Sequence, residues 1–154
     1  MILTPARPSA IAALLLAAAV IGCTEETARD VTPTEYRASL AAICATTDVR
    51  LEAVEGPPES ADVATFATTV GEALGDEADL ARELTVSDGS EEDHRAFVRN
   101  TDAQSAAWSN LAATAPDDPA FADLAREIGE LTLGRNDLSA EMGVDGCIRT
   151  PAEP

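Results

Sequence analysis

Three clusters of helix-stopping residues decide how this chain can be divided. They are Glu55-Gly56-Pro57-Pro58, Val86-Ser87-Asp88-Gly89 and Pro116-Asp117-Asp118-Pro119. Consecutive prolines cannot continue a helix, Ser-Asp-Gly is turn chemistry, and an Asp-Pro pair supplies an N-cap and a first helical residue. Between the clusters, apolar residues recur at spacings of three and four, and no long β-branched run alternates as a strand would. Four helical segments follow.

The first segment opens on Thr32-Pro33-Thr34-Glu35, a capping box with proline at N1. Tyr36, Leu40, Ile43, Thr47, Leu51 and Val54 form its apolar stripe, with Cys44 at the edge. The second segment begins near Ser60 and carries Val63, Phe66, Val70, Leu74, Ala81 and Leu84 on one face. Gly71 and Gly75 lie inside it, each costing up to ~1 kcal/mol against alanine. Either they let another helix approach closely or the helix is locally weak or broken near Gly75-Asp76, and a break or bend is the expectation here. The third segment restarts at Ser90 with an acidic first turn; Phe97, Thr101, Trp108, Leu111 and Ala115 mark its inner face. The fourth starts at Asp118-Pro119, shows Phe121, Leu124, Ile128, Leu131, Leu138 and Met142, and ends at Gly143.

Aromatic residues are few, so the core must come mainly from Ala, Leu, Val and Ile, which suits closely packed helices. Short connections then predict an all-α, antiparallel up-down-up-down four-helix bundle, with helix four returning alongside helix one. The expected bundle domain spans residues 32–150, and 151–154 would be a disordered tail.

The first 22 residues read differently. One positive charge, Arg7, precedes an uninterrupted apolar run from Ile11 to Ile21, about the length of a signal h-region and short of the ~20 residues that span a bilayer. The run closes on Val20-Ile21-Gly22-Cys23. These four residues resemble the lipobox of bacterial lipoproteins, with Val20 the branched position, Gly22 the small one and Cys23 the modified one. The resemblance implies cleavage between Gly22 and Cys23 and acylation (palmitate or a similar chain) of the Cys23 thiol. One acyl chain attaches marginally; two or more hold a domain stably. It further implies a polar tether over residues 23–31, an extracytoplasmic domain anchored to the cell membrane through Cys23, and an unknown envelope protein as a possible partner.

With Cys23 taken, Cys44 and Cys147 remain, and an even pair in an exported protein reads as a disulfide, two free thiols being the alternative. Ile43-Cys44, Arg50-Leu51, Pro57-Pro58 and Gly143-Val144 ahead of Cys147 also resemble a group of small exported helical proteins of actinobacteria. That resemblance supports the helical body and the disulfide and carries no assigned activity.

All ten basic residues are arginine and face 28 acids; losing Arg7 with the leader takes the formal charge from −18 to −19. Such an excess speaks against nucleic acid, and against a body lying flat on anionic lipid, because both need clustered basic residues.

Catalytic, cofactor and metal sites are not expected. His94, the single histidine, ends an E-x-x-H, but a di-iron bundle needs a second such motif, and the residue reads as solvated near a helix cap. Cys44, Cys147 and His94 lack a matching fourth zinc ligand. Asp88 to Asp93 is acidic without the register of a calcium loop. No serine has a lysine or histidine to activate it. Trp108 and the phenylalanines read as core. The expected role is therefore a non-catalytic, lipid-anchored interaction or envelope-surface domain; the alternative is a carrier or sensor holding a small apolar ligand between helices.

Overall fold

A computed structural model describes residues 31–54 and 63–150. The expected signal peptide and lipobox, most of the tether, the Pro57-Pro58 stop, Ser60 and the 151–154 tail lie outside the described residues.

Four α-helices follow in order: α1 (Pro33–Glu52), α2 (Val63–Arg82), α3 (Glu91–Ala113) and α4 (Pro119–Glu141), then a short 3₁₀ turn, Asp145–Cys147. The described residues form an all-α, up-down-up-down four-helix bundle closed by a Cys44–Cys147 disulfide across a sequence separation of 103.

The helix ends form as local chemistry dictates. Thr32 Oγ1 accepts from the Glu35 amide at 3.2 Å while Glu35 Oε2 accepts from the Thr32 amide at 3.0 Å, the reciprocal capping box. Asp118 Oδ1 accepts from the Ala120 amide at 2.9 Å ahead of Pro119 at N1. At the end of α4, Gly143 takes φ +67°, the Gly143 amide donates to Ala140 and the Val144 amide to Ser139. This is a Schellman motif, and it turns Val144 back into the core. Ser90 stands at the N-cap of α3 without capping it; its hydroxyl meets Ser87 Oγ instead, and Glu91 accepts from the Gly89 amide.

α2 is continuous through Gly71 and Gly75, which corrects the expected break. The reason is close packing on α3. A Cβ added at Gly71 would lie 3.1 Å from Ser109 Oγ and 3.2 Å from the Ser105 carbonyl oxygen; one at Gly75 would lie 3.2 Å from Ser105 Oγ. Ser105 Oγ in turn donates to the Gly71 carbonyl at 2.7 Å, so the glycines mark where the two backbones meet. Ala115 is also corrected: α3 ends at Ala113, and Ala115 is an exposed residue of the following turn.

α1 runs antiparallel to α2 but is displaced along it. Arg50, near the end of α1, pairs with Asp76 in the second half of α2, while Tyr36 at the start of α1 reaches His94 at the start of α3. One half of the bundle is therefore three helices deep, with Ala67, Ala107, Leu111 and Ile128 at its centre. Phe66 and Trp108 meet edge-on beside them, centroids 5.7 Å apart. The other half holds Tyr36, Leu40, Cys44, Ala81, Phe97, Val98, Met142, Val144 and Cys147. Cys44 is central to the α1 stripe and fully buried, whereas Ile43 is only half-buried.

α4 does not return directly alongside α1, contrary to expectation. The Arg135 side chain of α4 reaches Cys44 on α1, and the 3₁₀ turn packs on both helices. The Schellman turn aims Cys147 at Cys44, so the disulfide joins α1 to the element beyond α4.

Candidate functional site

Two stripe positions hold charge where the pattern leaves a gap. The apolar stripe of α4 steps from Leu131 to Leu138, and that of α2 from Leu74 to Ala81. Arg135 fills the first gap and Glu77 the second, and both side chains are 0 % exposed. Each sits three or four residues from its stripe neighbours, so each faces the interior of its helix pair.

Arg135 Nη2 donates to Glu77 Oε1 at 2.6 Å and also lies 3.5 Å from Cys44 Sγ. Its guanidinium carbon stands 5.1 Å from the Phe97 ring centroid, a cation–π contact. Glu77 Oε2 accepts from Arg149 Nη2 at 2.6 Å, and Arg149 Nε donates to Asp48 Oδ1, also at 2.6 Å. Two guanidiniums and two carboxylates thus alternate from α4 through α2 and the C-terminal segment to α1. Asn136 holds that segment by both backbone groups: its Nδ2 donates to the Arg149 carbonyl at 2.6 Å and its Oδ1 accepts from the Arg149 amide at 2.9 Å.

Burial pulls the Arg135 guanidinium down to about 10, opposed by the Glu77 charge, and Arg149 and Asp48 act as smaller influences of opposite sign. Arg135 therefore stays cationic at neutral pH. Three donors of the network, Arg135 Nε and Nη1 and Arg149 Nη1, are buried without a hydrogen-bond partner. Removing a charge from such a cluster costs more than the cluster contributes as a whole, because the partner left behind is a buried unpaired ion.

His94 is buried, not solvated as its place near a cap suggested: it is 6 % exposed. α1 lies over it, and Tyr36 Oη is 3.0 Å from His94 Nδ1 and 3.7 Å from Met142 Sδ. The rings meet edge-on with centroids 5.7 Å apart. Burial pushes the imidazole below its ordinary value, and burial together with the Asp93 charge pushes Tyr36 up to about 12. Both groups are thereby neutral near pH 7. Tyr36 Oη and His94 Nδ1 share one proton in their contact, and the His94 tautomer sets which of the two donates.

Of the residues singled out from the sequence, the structure brings Cys44 and Cys147 together and leaves His94 apart from both, tied to Tyr36. Cys23 and Gly22 lie outside the described residues. Among the described residues no group of three or more His, Cys, Asp or Glu side chains is placed to hold a metal, and no helix is long and apolar enough to cross a membrane. Asp48, Glu77, Arg135 and Arg149 were not legible as a unit; the paired seven-residue gaps in the α2 and α4 stripes were the available signal.

No family model, curated protein or solved structure matches the chain.

Proposed function

We propose that this protein is an extracytoplasmic lipoprotein, held to the cell membrane by acylation of Cys23, and that its bundle acts by contact with another envelope protein and not by catalysis. The observation that carries the reading is Val20-Ile21-Gly22-Cys23 at the close of the apolar run. The Cys44–Cys147 bridge supports it, since a disulfide persists in the oxidising space outside the cytoplasm. So does the use made of the chemistry-bearing side chains. His94 is committed to Tyr36, and the buried arginines and carboxylates are committed to one another. These are the marks of a rigid body whose buried polar groups hold it in one arrangement.

The carrier reading is the weaker of the two. In the α1 half of the interior an apolar ligand would share its space with the Arg135–Glu77 pair, whose charges disfavour it.

Cell fractionation with a Cys23→Ala substitution tests the proposal. The native protein is expected in the membrane fraction and released from it only by detergent. Cys23→Ala is expected to remain as unprocessed precursor or to leave the membrane fraction. Equal membrane retention of a processed Cys23→Ala chain would refute the anchor.

A further inference from the structure

Ten arginines against 28 acids would lead one to expect every guanidinium to be paired. At the α1 end of the bundle three described ones are not: Arg37 on α1, and Arg95 and Arg99 on α3. Arg95 and Arg99, one helical turn apart on α3, are exposed, and neither takes part in an ion pair or hydrogen bond among the described residues. Like charges four residues apart on a helix repel each other. The acids of the α3 first turn, Glu91, Glu92 and Asp93, make no ion pair with either.

These two side chains form one wall of a groove of about 390 Å³, at the lower end of the range for small-molecule sites. Arg82 stands opposite on α2, fixed by Asp79 and by Asp102, the one carboxylate in the groove. Leu84, Val86 and Val98 supply an apolar floor. His94 completes the lining; its Nδ1 is held by Tyr36, and its Nε2 makes no hydrogen bond yet is not sealed from solvent. The groove thus presents free donors beside an apolar surface, and its only acid is already paired.

We propose that this groove binds a small organic oxyanion, with its carboxylate or phosphate head between the Arg95 and Arg99 guanidiniums and a short apolar body on Leu84, Val86 and Val98. A two-oxygen head relieves the repulsion between the two arginines and matches the fork geometry of a guanidinium. The apolar floor discriminates against bare inorganic anions, which gain nothing from it. All the residues that line the groove lie between Arg82 and Asp102, so this assignment stands apart from the anchor.

Titration of the full chain as purified, with hexanoate, hexyl phosphate, acetate and hexan-1-ol, tests the assignment. The readouts are the arginine side-chain NMR signals and the unfolding temperature. At least one of the two six-carbon anions is expected to shift the Arg95 and Arg99 signals with a Kd on the order of 1 mM or tighter. The same anion should raise the unfolding temperature, and the preferred head group identifies the ligand class. Acetate should bind at least about tenfold more weakly, and hexan-1-ol should leave the arginine signals unmoved. Arg95→Gln/Arg99→Gln should abolish binding while folding normally. Arg50→Gln/Arg126→Gln, which removes the same charge elsewhere, should bind as the parent does. Silence toward both six-carbon anions, equal response to hexan-1-ol, or unimpaired binding by Arg95→Gln/Arg99→Gln would each overturn the proposal.

Discussion

Arg135 and Glu77, 58 positions apart in sequence, meet at 2.6 Å with neither side chain exposed to solvent. They are the inner pair of a network that continues through Arg149 to Asp48. Glu77 is its hinge, because it answers two guanidiniums at once. Glu77→Gln is expected to destabilise the fold by about 3–5 kcal/mol, the usual cost of leaving buried charge unpaired. Glu77→Gln/Arg135→Met should cost markedly less than the sum of the single changes. Urea unfolding of the four proteins checks this, and additive losses would mean that the two residues do not depend on each other.

Gly71 and Gly75 should respond oppositely to alanine. A Cβ at position 71 meets the Ser105 backbone oxygen at 3.2 Å, which cannot move unless α3 moves; at position 75 it meets only the Ser105 hydroxyl. Gly71→Ala is expected to lose about 1–3 kcal/mol through overpacking. Gly75→Ala, after a small rotation of Ser105, should be neutral or gain up to ~1 kcal/mol of helix propensity. Thermal unfolding of the two variants decides it.

The disulfide ties the C-terminal segment to α1, and with it Arg149 to Glu77 and Asp48. Cys44→Ala/Cys147→Ala is expected to lose up to about 4–5 kcal/mol on chain-entropy grounds for a loop of this length. Amide hydrogen exchange should then rise first at residues 144–150, which depend on the bridge for their position. An unchanged exchange pattern would show that the Asn136 and Glu77 contacts suffice.

The Tyr36–His94 hydrogen bond should contribute less to stability on both sides of neutrality. The Tyr36 hydroxyl is raised from 10.0 to about 12 in the folded chain, so its contribution is whole below pH 10 and is lost as pH rises through 12. His94 is lowered from 6.5, so its contribution is whole above pH 6.5 and is lost as pH falls below that value through the folded one. Unfolding temperature measured across pH should show the acid limb directly. Arg135, lowered to about 10, acts with the opposite sign over the alkaline window. The Tyr36 limb is therefore read as the difference between the parent and Tyr36→Phe, which should shrink as pH rises above 10.

Much of this architecture is written locally. The Thr32–Glu35 box, the Asp118-Pro119 start and the Gly143 stop each involve residues within five positions of one another, so their chemistry is visible without the fold. The stripes of α2 and α4 are visible for the same reason. Arg135 and Glu77 were not, because a charge within an apolar stripe reads as an interruption until its partner on another helix is known. His94 reads as wet because its cover, Tyr36, comes from a helix 58 positions away. The groove was hidden by averaging. A formal charge of −18 describes the chain, while Arg82, Arg95 and Arg99 are gathered from the end of α2 and the start of α3.

The reading as an anchored envelope protein turns on the chemistry at residue 23. Intact-mass and peptide mass spectrometry of the protein extracted from its own membranes should find a chain that begins at Cys23 and carries a thioether-linked diacylglyceryl group. A chain that retains Met1, or one whose Cys23 is unmodified, would contradict it.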